Sequence, residues 1–488
     1  MSVTVEVGLL SGTSAIVEAD RQERVEALKH RAQTALGVGT GRLVDSSGCV
    51  LDANSTVGDA RLQTGDSLTL HINRVRVQST SFAFAAILGD ASVATWGHAD
   101  FGGISDAVYD NLQNVQQIQA NHRAFAAILG DASVVTWGDA CYGGDCSAVQ
   151  EKLQNVQQIQ ATDGAFAAIL AGGSVVTWGA ARDGGDCSAV QAQLKNVLQI
   201  QAGRSAFAAI LCDGRVVTWG PPFRGGDSDA IQDRLQTVQQ IQATSFAFAA
   251  IRADASVVTW GHGGFGADSS AVQDQLNNVQ QIQASGAAFA AVLGDGSVVT
   301  WGDANSGGDS SAVQAYLNNV QQIQASLRAF AAILGDGSVV TWGDARYGGD
   351  SSAVQDQLKN VLQIQASESA FAAILSDGSV VTWGDVHFGG DSRAVQHQLK
   401  NVQQIQASHR AFAAIFDGGA VVSWGDPERG GNSSGLQDLK TVRQIQAFVD
   451  AFAAILGDGS VVMPARKRMW SAGHVGLLLA EQRDQDTE

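Results

Sequence analysis

Tryptophan recurs along this chain with a period of 41, at Trp96, Trp137, Trp178, Trp219, Trp260, Trp301, Trp342, Trp383 and Trp424. Phe84, Phe125, Phe166, Phe207, Phe248, Phe289, Phe330, Phe371 and Phe412 keep the same step, and Phe452 follows after 40. A fixed period of this length means that one supersecondary unit is copied. Each copy is too small to bury its own apolar faces, so neighbours must stack on it. Nine copies are complete, and a tenth begins normally but loses its Trp-Gly after Val462.

One unit shows the local chemistry. Val320–Ala325 (VQQIQA), Phe330–Leu334 (FAAIL) and Val339–Trp342 (VVTW) are short β-branched and aromatic runs between turn signals, which predicts three strands. The middle run is apolar at every position, as expected of a strand covered on both faces by adjacent units. Gly335-Asp336-Gly337-Ser338 joins the second and third runs, and Asp-Gly predicts a tight hairpin with positive φ angles. After the loop Gly343–Gly349, Asp350-Ser351-Ser352 reads as a helix start. Val354 and Leu358, four apart, predict a short helix with one apolar face. Ala91, Ala132 and Ala255 replace the hairpin glycine. A β-carbon in a left-handed conformation costs about 1–2 kcal/mol, so those hairpins are expected to distort or change type.

The string I-Q-A-x-x-x-A-F-A-A-I-L-x-D-G-S-V-V-T-W-G-x-x-x-x-G-G resembles the repeat of the regulator of chromosome condensation family, in its compact bacterial form. The resemblance runs from Arg74 to Met463. It implies a mainly β fold, a β-propeller or propeller-like array, commonly seven-bladed. Nine or ten copies depart from seven, so one ring with surplus blades, a larger ring and an open spiral all satisfy the repeat.

The first 73 residues are different. Thr4–Leu10 and Ser14–Glu18 read as strands around Ser11-Gly12, and Asp20-x-x-Glu23 as a capping box. The helix it opens puts Val25, Leu28, Ala32 and Leu36 on one face. Apolar segments follow at Arg42-Leu43-Val44, Val50-Leu51 and Ser67–Ile72. This order, with LLSG, RLVDSSG and LQTGDSLTLHI, resembles ubiquitin and implies an α+β β-grasp domain ahead of the array. Ubiquitin ends in a flexible Gly-Gly tail, whereas His71-Ile72-Asn73-Arg74 runs straight into the first repeat. The resemblance therefore implies a fixed docking module rather than a conjugated one. It places Leu43, Val44, Leu70 and His71 where ubiquitin's apolar recognition patch would fall, although Leu43 and Leu70 also suit a core. The chain thus divides into 1–73, 74–463 and a tail, 464–488. The tail holds Arg466-Lys467-Arg468, an apolar stretch and an acidic end, and reads as a cap on the array before it reads as a basic targeting motif.

Compared with one another, the copies barely change except in two windows. One is the triplet before each AFAA run, such as Asn121-His122-Arg123, Gly203-Arg204-Ser205, Ser326-Leu327-Arg328 and Ser408-His409-Arg410. The other follows each Trp-Gly, as in Asp139–Tyr142, Pro221–Arg224, Asp344–Tyr347 and Asp385–Phe388. Three alternating strands deliver both windows to the same end of every unit, while the uniform hairpins fall at the other. The predicted partner-binding face comprises His122, Arg123, Tyr142, Arg182, Arg204, Phe223, Arg224, Phe246, Phe265, Arg328, Arg346, Tyr347, His387, Phe388, His409, Arg410 and Arg429. Arginine and aromatic residues are favoured at interaction hot spots. Neutral drift of surface loops is the plainer account of the same variation.

A formal net charge of −18 argues against nucleic acid or an anionic membrane as partner. The start of the chain alternates polar and apolar residues, unlike a signal peptide. Cys49, Cys141, Cys146, Cys187 and Cys212 are odd in number and without CxxC spacing, which points to free thiols and no metal site. Cys146 and Cys187 stand where other copies carry Ser, so they read as thiols replacing hydroxyls. A reducing, cytoplasmic or nuclear, setting fits these thiols. The recurrent Gly-Gly-Asp-Ser reads as turn and cap rather than as acids, and neither a catalytic constellation nor a cofactor is expected. The reading is a non-catalytic protein–protein interaction scaffold whose ubiquitin-like domain recruits ubiquitin-pathway or other proteins. The repeat family implies two alternatives: a substrate-recognition subunit related to HECT-type ubiquitin ligases, and a guanine nucleotide exchange factor.

Overall fold

The structure, a computed structural model, describes residues 2–9, 12–38, 41–72, 75–432, 439, 441–449, 451–457 and 460–462. Ser11, the Asn73-Arg74 join and the tail 464–488 lie outside the described residues.

The N-terminal segment forms β1 (Ser2–Gly8), β2 (Ser14–Asp20), α1 (Val25–Leu36), β3 (Arg42–Val44) and β4 (Ser67–His71). The sheet order is β2-β1-β4-β3, with β1 parallel to β4 and the other pairs antiparallel. Val3, Val5 and Val7, two apart on β1, share a core with Val25, Leu28 and Ala32 on one face of α1. The capping box does not form. β2 runs on through Asp20, whose carboxylate accepts the Gln22 N–H at 2.8 Å, and α1 starts only at Val25. Val50-Leu51 contributes a single bridge, Val44 to Val50.

Beyond it stand ten three-stranded antiparallel sheets, numbered here as blades 1 to 10. Blade 1 is Arg76–Ser79, Ala83–Ile87 and Val93–Gly97; blade 10 is Val442–Ala447, Phe452–Leu456 and Val461–Val462. Alternation along the middle strand explains the stacking. In blade 2, Ala124, Ala126 and Ile128 turn one way and pack on Val156, Ile159, Phe166, Ala168 and Trp178 of blade 3. Phe125 and Ala127 turn the other way, onto blade 1. The same set recurs through blades 9 and 10. It recurs once more between Ala451, Ala453 and Ile455 of blade 10 and Val75, Val77, Phe84 and Ala86 of blade 1. Ten blades therefore have ten interfaces, and the array is one closed ring larger than seven.

A Trp-Gly-x4-Gly string fastens eight of the interfaces among the described residues. Trp301 stacks on Phe289 of its own blade, with centroids 5.2 Å apart, and donates its Nε1–H to the Gly266 carbonyl of the preceding blade at 3.0 Å. Gly266 has φ +96°, and a β-carbon there would lie 2.7 Å from the Phe289 ring. Only glycine fits the left-handed turn pressed against that ring.

Two local expectations need correction. No α-helix follows the third strand; Ala345–Tyr347 and Gln355–Gln357 form single 3-10 turns. Asp350 does accept the Ser352 N–H at 2.9 Å, but Leu358 is buried and the next first strand begins at Val361, which leaves room for one turn. The hairpin of blade 7, too, has one positive φ and not two; blade 9, with Gly418 and Gly419, has both. The Leu334 N–H bonds the Ser338 carbonyl, the Gly337 N–H bonds the Leu334 carbonyl, each at 2.9 Å, and Gly337 alone is left-handed at +78°.

Ala91, Ala132 and Ala255 take φ of 66°, 64° and 60° in the same turn, and Ala132 keeps both bonds at 2.9 Å. The expected distortion is absent because strand register holds the turn and the alanine absorbs the strain. Ala132→Gly should raise stability by up to about 1 kcal/mol, the left-handed strain relieved less the extra freedom of glycine when unfolded. A urea midpoint equal to that of the parent would show that no strain is stored there.

The N-terminal domain meets the ring at its hairpin end. Lys29 Nζ lies 3.8 Å from Asp90 in the blade 1 hairpin, and Arg42 Nη1 donates to Asn114 Oδ1 at 2.8 Å, beside the start of blade 2.

Candidate interaction face

The two variable windows are bonded together at the opposite end of each blade. The first triplet residue is structural, not variable in role. Ser326 Oγ accepts the Ala329 N–H at 3.1 Å and donates to the Tyr347 carbonyl at 2.8 Å. Thr80, Thr162, Thr244, Ser285 and Ser367 make the equivalent link, and Asn121 makes it through its amide. A short β-hydroxyl or amide at this position thus caps the second strand and ties down the window behind it.

The middle triplet residues join blade to blade through the main chain. Ser81 donates to the His122 carbonyl, His122 to Asp163, Asp163 to Arg204, Arg204 to Ser245, and so on to His409 and Val449, at 2.9–3.3 Å. This belt runs from blade 1 to blade 10, and sequence reasoning missed it because a main-chain bond has no side-chain signature. Its side chains differ blade by blade. His122 Nε2 and Arg204 Nε converge on Asp163 from the two neighbouring blades, at 3.1 and 2.5 Å. Burial by itself would raise the Asp163 carboxyl pKa; hydrogen bonds from His122 and Arg204 outweigh it and hold the carboxyl below its ordinary value.

The third triplet residue and the window after Trp-Gly build aromatic–arginine clusters that cross blade boundaries. The Arg123 guanidinium lies 4.7 Å over Phe101 and 5.1 Å over Tyr142. Arg182 reaches the Tyr142 hydroxyl at 3.4 Å, and Phe82 meets Phe101 edge-on at 4.8 Å. Arg224 lies between Phe223 and Phe246, at 5.5 and 4.8 Å, and Phe246 meets Phe265 edge-on at 4.7 Å. Arg328 covers Tyr347, and Arg410 covers Phe388. His387 and His409 are exposed on the same side. Phe82 and Phe101 belong to this face and were not singled out in the sequence, although blade 1 repeats the Thr-Ser-Phe and His-x-x-Phe of blade 5.

Most of the arginines are neutralised within the face. Arg123 is 3.3 Å from Asp139, Arg346 is 2.8 Å from Asp344, Arg182 is 3.6 Å from Asp183, and Arg410 and Arg429 share Asp426 at 3.9 and 3.7 Å. Among the described residues, Arg224 and Arg328 have no carboxylate within 4.0 Å. The face is therefore organised by cation–π contacts and internal ion pairs and is not a bare cationic surface.

The N-terminal patch is not brought together. Leu43 and Leu70 are 2 % and 1 % exposed, inside the core, because they point to the helix side of the β3–β4 pair. Only Val44 and His71 reach the outer side, Val44 half-buried and His71 exposed. Cys146 and Cys187 are buried free thiols bonded to Gln150 and Gln191 at 2.9 and 3.1 Å, where Ser310 bonds Gln314. Burial raises both thiol pKa values, which keeps them protonated and unreactive. Cys141 lies exposed in its window. Among the described residues no group of three His, Cys, Asp or Glu is placed to hold a metal.

The fold so defined is a closed ring of three-stranded blades with a small α+β domain at its hairpin end. No protein-family model matches the chain, and no curated protein matches it. Among solved structures, yeast RCC1 (Prp20), bound to Kap60, is 14 % identical over 73 % of this chain and 79 % of that one, with a TM-score of 0.35. The ectodomain of the receptor kinase CR4 from Physcomitrella patens is 15 % identical over 56 % and 74 %, with a TM-score of 0.32. A designed protein based on ubiquitin is 20 % identical over 14 % and 85 %, with a TM-score of 0.14. The blade ring is established by its own contacts, given above.

Proposed function

We propose that this chain is a non-catalytic scaffold that grips a protein partner with the window face of its ring. One observation carries the reading: the residues that differ between blades gather on the side opposite the uniform hairpins, and they include exposed apolar groups. Phe223 is 63 % and Leu327 39 % exposed, next to Arg224 and Arg328, which lie over aromatic rings. Large apolar and arginine side chains, held in place by neighbouring blades, lose little entropy on docking. The N-terminal domain, which resembles ubiquitin in sequence and sits at the other end, leaves the window face free. It supplies a second attachment point, through Val44 and His71 and without Leu43 or Leu70, for ubiquitin-pathway or other proteins.

Arg123 and Arg410 each hold an aromatic neighbour, so reversing their charge would rearrange the face as well as test it. Phe223→Ser with Leu327→Ser removes exposed apolar groups and leaves Arg328 over Tyr347. Partners captured by the parent ring should be lost by this double variant at an unchanged unfolding midpoint. They should be kept by a control carrying Asp295→Asn and Asp336→Asn in the hairpins. Equal capture by all three proteins would remove the window face from the proposal.

A further inference from the structure

The window after Trp-Gly opens on a side-chain cap in seven blades. In five of them the cap is a carboxylate: Asp139, Asp303, Asp344, Asp385 and Asp426 accept the main-chain N–H two residues on, at 2.7–3.3 Å. Blades 1 and 5 put an imidazole in the same place. His98 Nδ1 accepts the Asp100 N–H at 3.3 Å, and His262 Nδ1 accepts the Gly264 N–H at 3.1 Å. Each imidazole also meets the phenylalanine at the end of its window edge-on, Phe101 or Phe265, with centroids 5.2 Å apart. Those two rings rest in turn against Phe82 and Phe246.

We propose that His98 and His262 are a pH-sensitive pair of caps, which hold their windows when neutral and release them when protonated. A neutral imidazole accepts through the nitrogen that carries no proton; an imidazolium carries N–H on both nitrogens and accepts on neither. The carboxylate caps keep their lone pairs throughout the range, roughly pH 5 to 8, in which histidine changes charge. The bond is therefore present at higher pH and lost as pH falls, in blades 1 and 5 and not in the five blades capped by aspartate. The two sites differ in what the protonated ring meets. Asp100 Oδ2 lies 3.9 Å from His98 Nδ1, so an imidazolium there exchanges a main-chain N–H for a carboxylate. Among the described residues no carboxylate lies within 4.0 Å of His262, and its window loses its cap outright. Blade 2 packs the uncharged strand Val134–Gly138 on Ala99–Phe101, and brings Arg123, paired with Asp139, and His122, paired with Asp163. Blade 6 packs the equally uncharged Val298–Gly302 on Gly263–Phe265. Phe101 carries the Arg123 guanidinium at 4.7 Å and Phe246 carries that of Arg224 at 4.8 Å, so release of either window loosens an aromatic–arginine cluster. The device belongs to the free protein; it goes beyond the docking role and stands with or without it.

Amide–water exchange by NMR on the full-length chain, corrected for its intrinsic pH dependence, tests this without a partner. From about pH 8 to about pH 5.5, across the histidine range, protection of the Asp100 and Gly264 amides should fall about fivefold, the worth of one cap bond. The Cys141 and Arg346 amides, capped by Asp139 and Asp344, should keep theirs. His98→Asp with His262→Asp installs the cap of the other blades and should hold Asp100 and Gly264 protection constant over the same range. Constant protection in the parent would overturn the proposal. So would an equal fall in the double variant, which would place the sensitive group elsewhere.

Discussion

Replacing Phe448 by serine should open the ring, even though serine is an ordinary residue of the repeat at that position. Thr80, Thr162, Thr244, Ser285, Ser326, Ser367 and Ser408 occupy the equivalent place in seven other blades. A consensus argument therefore expects Phe448→Ser to be neutral or stabilising. The structure says otherwise. Phe448 is 6 % exposed and meets Phe84 of blade 1 edge-on, with centroids 4.6 Å apart, in the cluster where the two ends of the array join. Removing a buried phenyl ring costs about 3–5 kcal/mol, and here the loss falls on the one interface with no short linker across it. Elsewhere a short stretch of chain holds adjacent blades together; at the seam the two ends are connected only through all ten blades, and entropy favours their separation. Small-angle scattering should show a larger radius of gyration, and exchange should rise in Val75–Ile87 and Ala451–Ile455. The circular dichroism should change little, since nine other interfaces persist. An unchanged radius would show that the aliphatic contacts at the seam close the ring without Phe448.

The parts of this fold that were legible in the sequence are those where one side chain repeats one task. Phe330–Leu334, apolar at every position, announces a strand covered on both sides, and the structure covers it on both sides. Blade number was countable, yet closure was not, because the seam reuses the residues of every other interface and adds a single departure, Phe448, with no second copy to mark it. The linker helix failed for a reason of length. Val354 and Leu358 do both pack inward, but over a single 3-10 turn, and two apolar residues four apart cannot distinguish one turn from two. Asn319 and its asparagine counterparts in six other blades adopt φ of 54–57° just before the first strand, with Thr237 and Thr441 left-handed in the same place, a use of asparagine that went unread beside the more obvious glycines. The window face was legible as a location and not as a mechanism. Strand direction puts Arg123 and Tyr142 at one end, but only coordinates show the guanidinium held between two rings and beside Asp139. The β3–β4 patch misled because Leu43 and Leu70 match a surface by position in the chain, whereas alternation along a strand turns them inward.

Trp301→Ala should destabilise the ring by about 3–5 kcal/mol, among the largest single effects available in it. The indole takes part in three contacts at once. It stacks on Phe289, gives its Nε1–H to Gly266 across the interface, and packs among Ala247, Ala249 and Ile251 of blade 5. Truncation leaves a cavity beside Phe289 and a buried Gly266 carbonyl without its donor, two of the mechanisms that produce large losses. Trp301→Phe separates them: it refills much of the cavity while still orphaning the carbonyl, and should cost about 1–3 kcal/mol. Urea denaturation ranks the three proteins. Hydrogen exchange should place the first loss of protection in Ala247–Arg252 and Ala288–Leu293, on either side of the damaged interface, with distant blades following only at global unfolding. If the two variants were equally damaging, the hydrogen bond would dominate the fastening and ring volume would matter little. If Trp301→Phe matched the parent, the Nε1–H would be dispensable, and the coincidence of a tryptophan with a left-handed glycine in each successive blade would need another cause than the bond between them.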